Sequence, residues 1–396
     1  LQHLANGIRA LGSALLFFAT LAASAAPSGP RARDLGVPFE GTPGALNAIT
    51  DVAGVAVGQV TLIEDLADGN KVRTGVTAIL PRGREDLKTP AFAGWFSLNG
   101  NGEMTGTAWL EESGLLDGPV MITNTHSVGV VRDAVIAWRL GQGNPDRYGY
   151  FWSLPVVAET WDGHLNDING FHVKPEHAAR ALDTAAGGPV AEGNVGGGTG
   201  MICHEFKCGI GTASRRVTVE GRAITVGVLV QANYGLRETL RIAGVPVGQH
   251  LREHRAYQDQ VPDRDGSGDT GSIIIVVATD APLLPHQLER VAKRAGMGLA
   301  RMGSYAGDGS GDIFIAFSTA NAAALATGTF PTATFMDNGE LDPIFEATVQ
   351  ATEESIVNAL VAARDMDGVK GRYAKALPHD ELKKLLARYG RGTTPR

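Results

Sequence analysis

The chain has 396 residues, of which 43% are hydrophobic, 19% are charged and 52 are glycine, and its formal net charge is −7. That length allows one large core or two ordinary domains, and low charge with abundant glycine describes a compact, loop-rich enzyme rather than a disordered or coiled-coil chain. The acidic balance, with no dense Lys/Arg run, argues against nucleic acid as a partner.

In chain order, Arg9 precedes an apolar run, Leu11–Ala22, that ends in Ala23-Ser24-Ala25. Small residues after a short apolar stretch read as a signal peptide, residues 1–25, cut after about Ala25. The run is too short to span a bilayer. Export to the periplasm or the exterior follows for a bacterial source, with no membrane attachment after signal removal. Beyond a polar linker, strands are expected at Gly54–Ile63, Gly75–Pro81 and Pro119–Thr125. Helical spacing marks Val130–Leu140, and Pro175–Ala185 begins with proline in its first turn. A glycine cluster, Gly193–Met201, precedes a strand at Ala223–Gly235.

The stretch from Arg252 to Gly271 is charged, lacks a hydrophobic period and reads as a long exposed loop. It runs into Ser272–Pro282, whose continuous apolar start fits a strand buried on both faces. A helix at Pro285–Arg301, a second buried strand at Asp312–Ala320, a long helix over about Pro343–Asp365 and a basic helix at His379–Gly390 complete the chain. Interleaved strands and helices without a clear linker give an α/β fold with sheets between helix layers.

Common catalytic signatures are missing. There is no G-x-S-x-G elbow and no H-E-x-x-H. The glycine cluster lacks the lysine of a phosphate-binding loop and the context of a dinucleotide fold, so close backbone packing is its simplest reading. Cys203 and Cys208, in CHEFKC, have no second ligand pair, which leaves buried thiols or a local disulfide rather than a metal site.

The junction Gly271-Ser272 carries more chemistry. If the bond before Ser272 breaks, the new chain begins with a serine whose free α-amine has a pKa of about 7.7–8.0. Such an amine can take the hydroxyl proton as a general base, so nucleophile and base sit in one residue at the start of a rigid strand. Downstream, Ser310 and Asp312 open another buried strand, and they could orient that amine if the two strands are neighbours.

Seven stretches together are similar to the self-cleaving aminopeptidases of the peptidase family S58 type, which include the L-aminopeptidase/D-alanine-esterase-amidase and the bacterial β-peptidyl aminopeptidases. They are TDVAGVAVGQVTL (Thr50–Leu62), NGNGEMTGTAW (Asn99–Trp109), LPVVAETWDGHLND (Leu154–Asp167), GNVGGGTGMICHEFKCGIGTASR (Gly193–Arg215), VGVLVQANYG (Val226–Gly235), GSIIIVVATDAPLLPHQ (Gly271–Gln287) and GSGDIFIAFSTAN (Gly309–Asn321). The resemblance implies a four-layer αββα sandwich like that of N-terminal-nucleophile hydrolases, with different connectivity. It implies one hydrolase domain, residues 26–396, cut between Gly271 and Ser272 into 26–271 and 272–396. It implies Ser272 as nucleophile, Ser310 and Asp312 as its assistants and Asn233 as oxyanion donor. Glu159 and Trp161 fall in a pocket-lining segment, as ammonium anchor and pocket wall. Trp161 stands where some relatives carry tyrosine, and Cys208 where glycine is expected. No metal or organic cofactor is expected. The expected substrates are short peptides, amino-acid amides or esters, and the expected assembly is a homo-oligomer, a tetramer of processed heterodimers. Two other functions fit the same sequence: acyl transfer of the ornithine acetyltransferase kind through a shared acyl-enzyme, and an exported, uncleaved binding protein.

Overall fold

A computed structural model of the chain describes residues 29–143, 148–260, 271–326 and 332–392. The expected signal peptide and the 261–270 part of the polar loop lie outside the described residues. The first strands are β1 (Ala56–Asp65), β2 (Lys71–Leu80) and β3 (Ala91–Gly100), then β4 (Leu115–Leu116), β5 (Val120–Asn124) and β6 (Val156–Thr160). A two-residue hairpin, β7 (Ile202–Cys203) and β8 (Phe206–Lys207), leads into β9 (Ile210–Val219) and β10 (Arg222–Asn233). β11 (Ser272–Thr279) and β12 (Gly311–Ser318) follow, and a small pair, β13 (Met366–Asp367) and β14 (Tyr373–Ala374), lies near the C-terminus. Helices are α1 (Thr107–Ser113), α2 (Val128–Gly141), α3 (Pro175–Asp183), α4 (Val247–His250), α5 (Pro285–Arg301), α6 (Ala322–Ala326), α7 (Asp342–Ala362) and α8 (His379–Arg388).

Two sheets carry the fold. One has the order β1-β2-β5-β6, the other β4-β3-β12-β11-β10-β9. β5 and β6 run parallel, joined through α2, and β11 and β12 run parallel, joined through α5. α2 and α3 pack on the four-stranded sheet, while α5 and α7 pack on the six-stranded one. The expected αββα order is therefore observed. β11 shows why both of its faces had to be apolar. Ile273, Ile275 and Val277 join the core under α5 and α7, while Ile274, Val276 and Ala278 join the core between the sheets. Such alternation follows from the period of two in a strand.

The glycine cluster at 193–200 serves packing, threading between the two sheets. A Cβ on Gly197 would lie 2.2 Å from Gln231 Oε1 and 2.8 Å from the Ile122 carbonyl oxygen, and one on Gly200 would lie 2.2 Å from the Arg73 carbonyl oxygen. Among the strands longer than two residues, three were not expected from the pattern: β3, β6 and β9. β9 reads as polar because Ser214 and Arg215 are buried in it. Arg215 pairs with Glu354 of α7 at 2.7 Å, and Glu354 also receives Arg33 at 2.7 Å. Burial opposes ionisation of Glu354, but the bonds from Arg33 and the charge of Arg215 prevail and hold its carboxyl below the usual range. Charge pairing, not hydrophobic alternation, accompanies the burial of this edge strand.

Candidate active site

Ser272 is the first residue of β11 and has neighbours on both sides. Asn233, the last residue of β10, is its antiparallel partner, and Gly311, the first of β12, is its parallel partner. The condition for Ser310 and Asp312 to approach Ser272 is thus met: their strand lies beside β11 in this register. Ser310 Oγ donates to Asp312 Oδ1 at 2.7 Å, and both residues are fully buried. The turn after β3 holds them from above. Asn101 donates its amide N–H to the Ser310 carbonyl at 3.3 Å and its side-chain amide to the Gly309 carbonyl at 2.8 Å.

One backbone amide addresses the junction itself. The Gly311 N–H lies 3.1 Å from the Gly271 carbonyl oxygen and 3.2 Å from Ser272 Oγ. Glycine is demanded on both sides of this contact. A Cβ on Gly271 would lie 2.2 Å from the Asn233 carbonyl oxygen, and one on Gly311 would lie 2.4 Å from that of Asn101.

Asn233 is 2% exposed and gripped at both ends of its amide. Its Oδ1 accepts the Ile202 N–H at 2.9 Å, and its Nδ2 donates to the Trp161 carbonyl at 2.9 Å. An amide nitrogen carries two hydrogens, and Trp161 takes one of them.

The other sheet supplies the far wall. A cleft of about 660 Å³ is lined by the 100–103 turn, Thr125, Glu159, Trp161 and Ser272. Glu159, on β6, accepts the Glu103 N–H at 3.0 Å and the Thr125 hydroxyl, both uncharged donors. Burial pushes its carboxyl pKa up, and these hydrogen bonds only partly oppose that. Trp161 is 38% exposed, so a large aromatic face stands open beside a buried carboxylate. Such a pair suits a cation. Behind Trp161, Asp162 is wholly buried, accepts the side-chain amides of Asn124 and Asn166 at 3.1 Å each, and is pushed by burial up to about 6.

The structure brings all seven residues singled out in the sequence to this one end of the sandwich: Ser272, Gly271, Ser310, Asp312 and Asn233 on one sheet, Glu159 and Trp161 beside it. Thr125, Asn101, Glu103 and the Gly311 amide were not singled out. For Asn101 and Glu103 the signal was the Asn-Gly-rich turn NGNGE after an apolar segment, a pattern that by itself means only a turn.

Residues 47–374 match the model of peptidase family S58. The chain belongs to peptidase family S58. It is 59% identical over 383 residues to the β-peptidyl aminopeptidase BapA of Sphingosinicella microcystinivorans, covering 94% of this chain and 95% of that one. A second BapA, from Sphingosinicella xenopeptidilytica, is 47% identical over 403 residues, with 98% and 99% covered. Among solved structures, the L-aminopeptidase D-Ala-esterase/amidase of Ochrobactrum anthropi superposes with a TM-score of 0.85 at 48% identity, covering 92% of this chain and 100% of its own. That structure is described as a variant of the Ntn hydrolase fold. This S58 member is accordingly an aminopeptidase, a hydrolase acting on peptide substrates.

Proposed function

We propose that the chain cuts itself between Gly271 and Ser272 and then uses the new N-terminal Ser272 to release N-terminal residues from short peptides, amides and esters. The observation that carries this reading is the Gly311 amide, within hydrogen-bond distance of both the Gly271 carbonyl oxygen and Ser272 Oγ. In self-cleavage, Ser272 Oγ adds to the Gly271 carbonyl carbon, and the Gly311 N–H donates to the oxygen as it gains negative charge. The hydroxyl proton passes to the Ser272 nitrogen as the C–N bond breaks, leaving an ester and a free amine. Water then hydrolyses the ester, giving the Gly271 carboxylate and the Ser272 hydroxyl.

In turnover, the Ser272 α-amine takes the hydroxyl proton, and Oγ attacks the substrate carbonyl. The second Nδ2 hydrogen of Asn233 donates to the oxyanion. The leaving amine departs with a proton, and water resolves the acyl-Ser272 intermediate. Ser310 and Asp312 orient the α-amine through their strand register with Ser272. Glu159 holds the substrate ammonium, and Trp161 forms the wall against which it lies. Substrates include N-terminal β-amino-acid residues, the class in the names of the two curated relatives. Comparing anilides of α-alanine and β-alanine tests this: turnover of the α-substrate alone overturns it.

Residues 26–396 belong to one hydrolase domain that becomes two subunits, 26–271 and 272–396. Export through residues 1–25 and assembly into a homo-oligomer, a tetramer of processed heterodimers, complete the proposal. Exposed Tyr148, Tyr150 and Trp152, with Trp109 edge-on to Trp152, support an assembly face, since clustered exposed aromatics mark interaction sites. Sedimentation of the purified protein tests it; a lone processed heterodimer overturns it. Ser272→Ala tests the self-cleavage itself: the account expects a single uncut band on a denaturing gel and no turnover, and a variant that still splits there rules the nucleophile out.

A further inference from the structure

The hairpin β7–β8 takes no part in the roles above, yet it ends on Asn233. It pairs as Ile202↔Lys207 and Cys203↔Phe206 and turns at His204 and Glu205, both at positive φ, 47° and 59°. Three ties close it. The Cys208 N–H donates to the Met201 carbonyl at 3.0 Å. Cys203 and Cys208 are joined in a disulfide, with their Cα atoms 5.4 Å apart. Lys207 Nζ donates to the Met201 carbonyl at 2.7 Å and to the Cys208 carbonyl at 2.6 Å. This lysine is wholly buried, and burial pushes its ammonium well below the ordinary lysine range. The two carbonyl acceptors offset part of the cost of burying this polar group.

The closed hairpin delivers one amide. The Ile202 N–H, next to Met201, donates to Asn233 Oδ1 at 2.9 Å. The tip is fastened to the chain just after Asn233: the His204 N–H donates to the Tyr234 carbonyl at 2.7 Å, and Arg237 donates to the His204 and Glu205 carbonyls at 2.8 Å each. A carboxamide is nearly symmetric in shape, but its two ends have opposite polarity. Turned over, Asn233 would present Oδ1 to a developing oxyanion and oppose it.

We infer that the Met201–Cys208 hairpin, locked by Lys207 and by the Cys203–Cys208 disulfide, is the positioning element that keeps the Nδ2 edge of Asn233 toward the oxyanion. This rests on the proposed role of Asn233 as oxyanion donor.

The experiment is a double-mutant cycle on processed enzyme with an amino-acid anilide: wild type, K207M, N233A and the double variant. K207M should lower kcat roughly tenfold or more with KM little changed, and should weaken an aminoacyl aldehyde, whose adduct carries the oxyanion, by a similar factor. In the N233A background the same substitution should change kcat less than about twofold. Equal losses with and without Asn233, or a KM effect alone, overturn the positioning role and leave the oxyanion role standing. Unchanged kcat in N233A overturns the oxyanion role, and the inference with it. If K207M or N233A yields no processed protein, C203S/C208S is measured against wild type with the same aldehyde. Parallel losses in kcat and aldehyde affinity support the inference, and wild-type values for both overturn it.

Discussion

Asn233 and Ser272 are register partners at the ends of adjacent antiparallel strands, so the fold places a neutral amide beside the hydroxyl through backbone pairing alone. Neither side chain has to reach across a flexible loop. Sites on strands hold their geometry more tightly than sites on loops. The Gly311 amide, on the other flank of Ser272, is likewise fixed by strand pairing.

Replacing Asn233 with alanine should therefore be costly in rate. We predict a loss of roughly 10²–10³ in kcat with a much smaller change in KM, the pattern of a lost oxyanion donor. Steady-state kinetics on processed enzyme checks it. A rise in KM at constant kcat would place Asn233 in substrate binding instead.

Glu159 should add a second acid limb to the pH profile, below the one set by protonation of the Ser272 α-amine. A carboxylate must be ionised to hold an ammonium group, and burial raises its pKa. The value of kcat/KM should accordingly fall as pH drops through a range above that of an ordinary glutamate. Glu159→Gln should raise KM roughly tenfold or more and remove the lower of the two limbs, leaving the one set by the α-amine. An unchanged lower limb in the variant would assign it to another group.

Asp162 should leave a signature in stability. Burial pushes its pKa up to about 6 in the folded chain from the ordinary 3.8, so the native state binds more protons between these values. Stability contributed by the protonated form is fully present at low pH and is lost as pH rises through that window, by up to about 3 kcal/mol. Urea unfolding of wild type and D162N from pH 4 to 7 reads this. The difference between the two should shift over that range, and parallel curves would contradict it.

Gly197→Ala should weaken the sandwich. The added Cβ meets Gln231 Oε1 and the Ile122 carbonyl between the two sheets. Overpacking of this kind costs about 1–3 kcal/mol. A lower thermal midpoint is expected, and an unchanged one would mean that the sheets separate freely there.

The sequence made the layers legible wherever burial had a simple period. β11 and β12 read as doubly buried strands because Ile273–Ala278 and Ile313–Phe317 are apolar throughout, and α5 showed its cap proline and apolar face. β9 was illegible because Arg215 lies inside it, paired with a glutamate 139 positions away at Glu354, a partnership no local pattern reveals. Within the site, Ser272, Ser310 and Asp312 stood out as small polar residues at the mouths of apolar strands. Asn233, Glu159 and Trp161 became legible only through resemblance. The Gly311 and Glu103 contributions are made by backbone amides, which every residue type carries, so composition could not single them out. Lys207 lay in a quoted motif, but a lysine in a sequence reads as a surface charge until its burial is seen.

The most direct test of the central claim is N-terminal sequencing and intact mass of the fully active, purified enzyme. The account predicts two chains, one of them beginning Ser272-Ile273-Ile274 and ending with the C-terminus of the protein. Full activity from a single chain unbroken between Gly271 and Ser272 would contradict it, because the amine that must accept the hydroxyl proton would not exist.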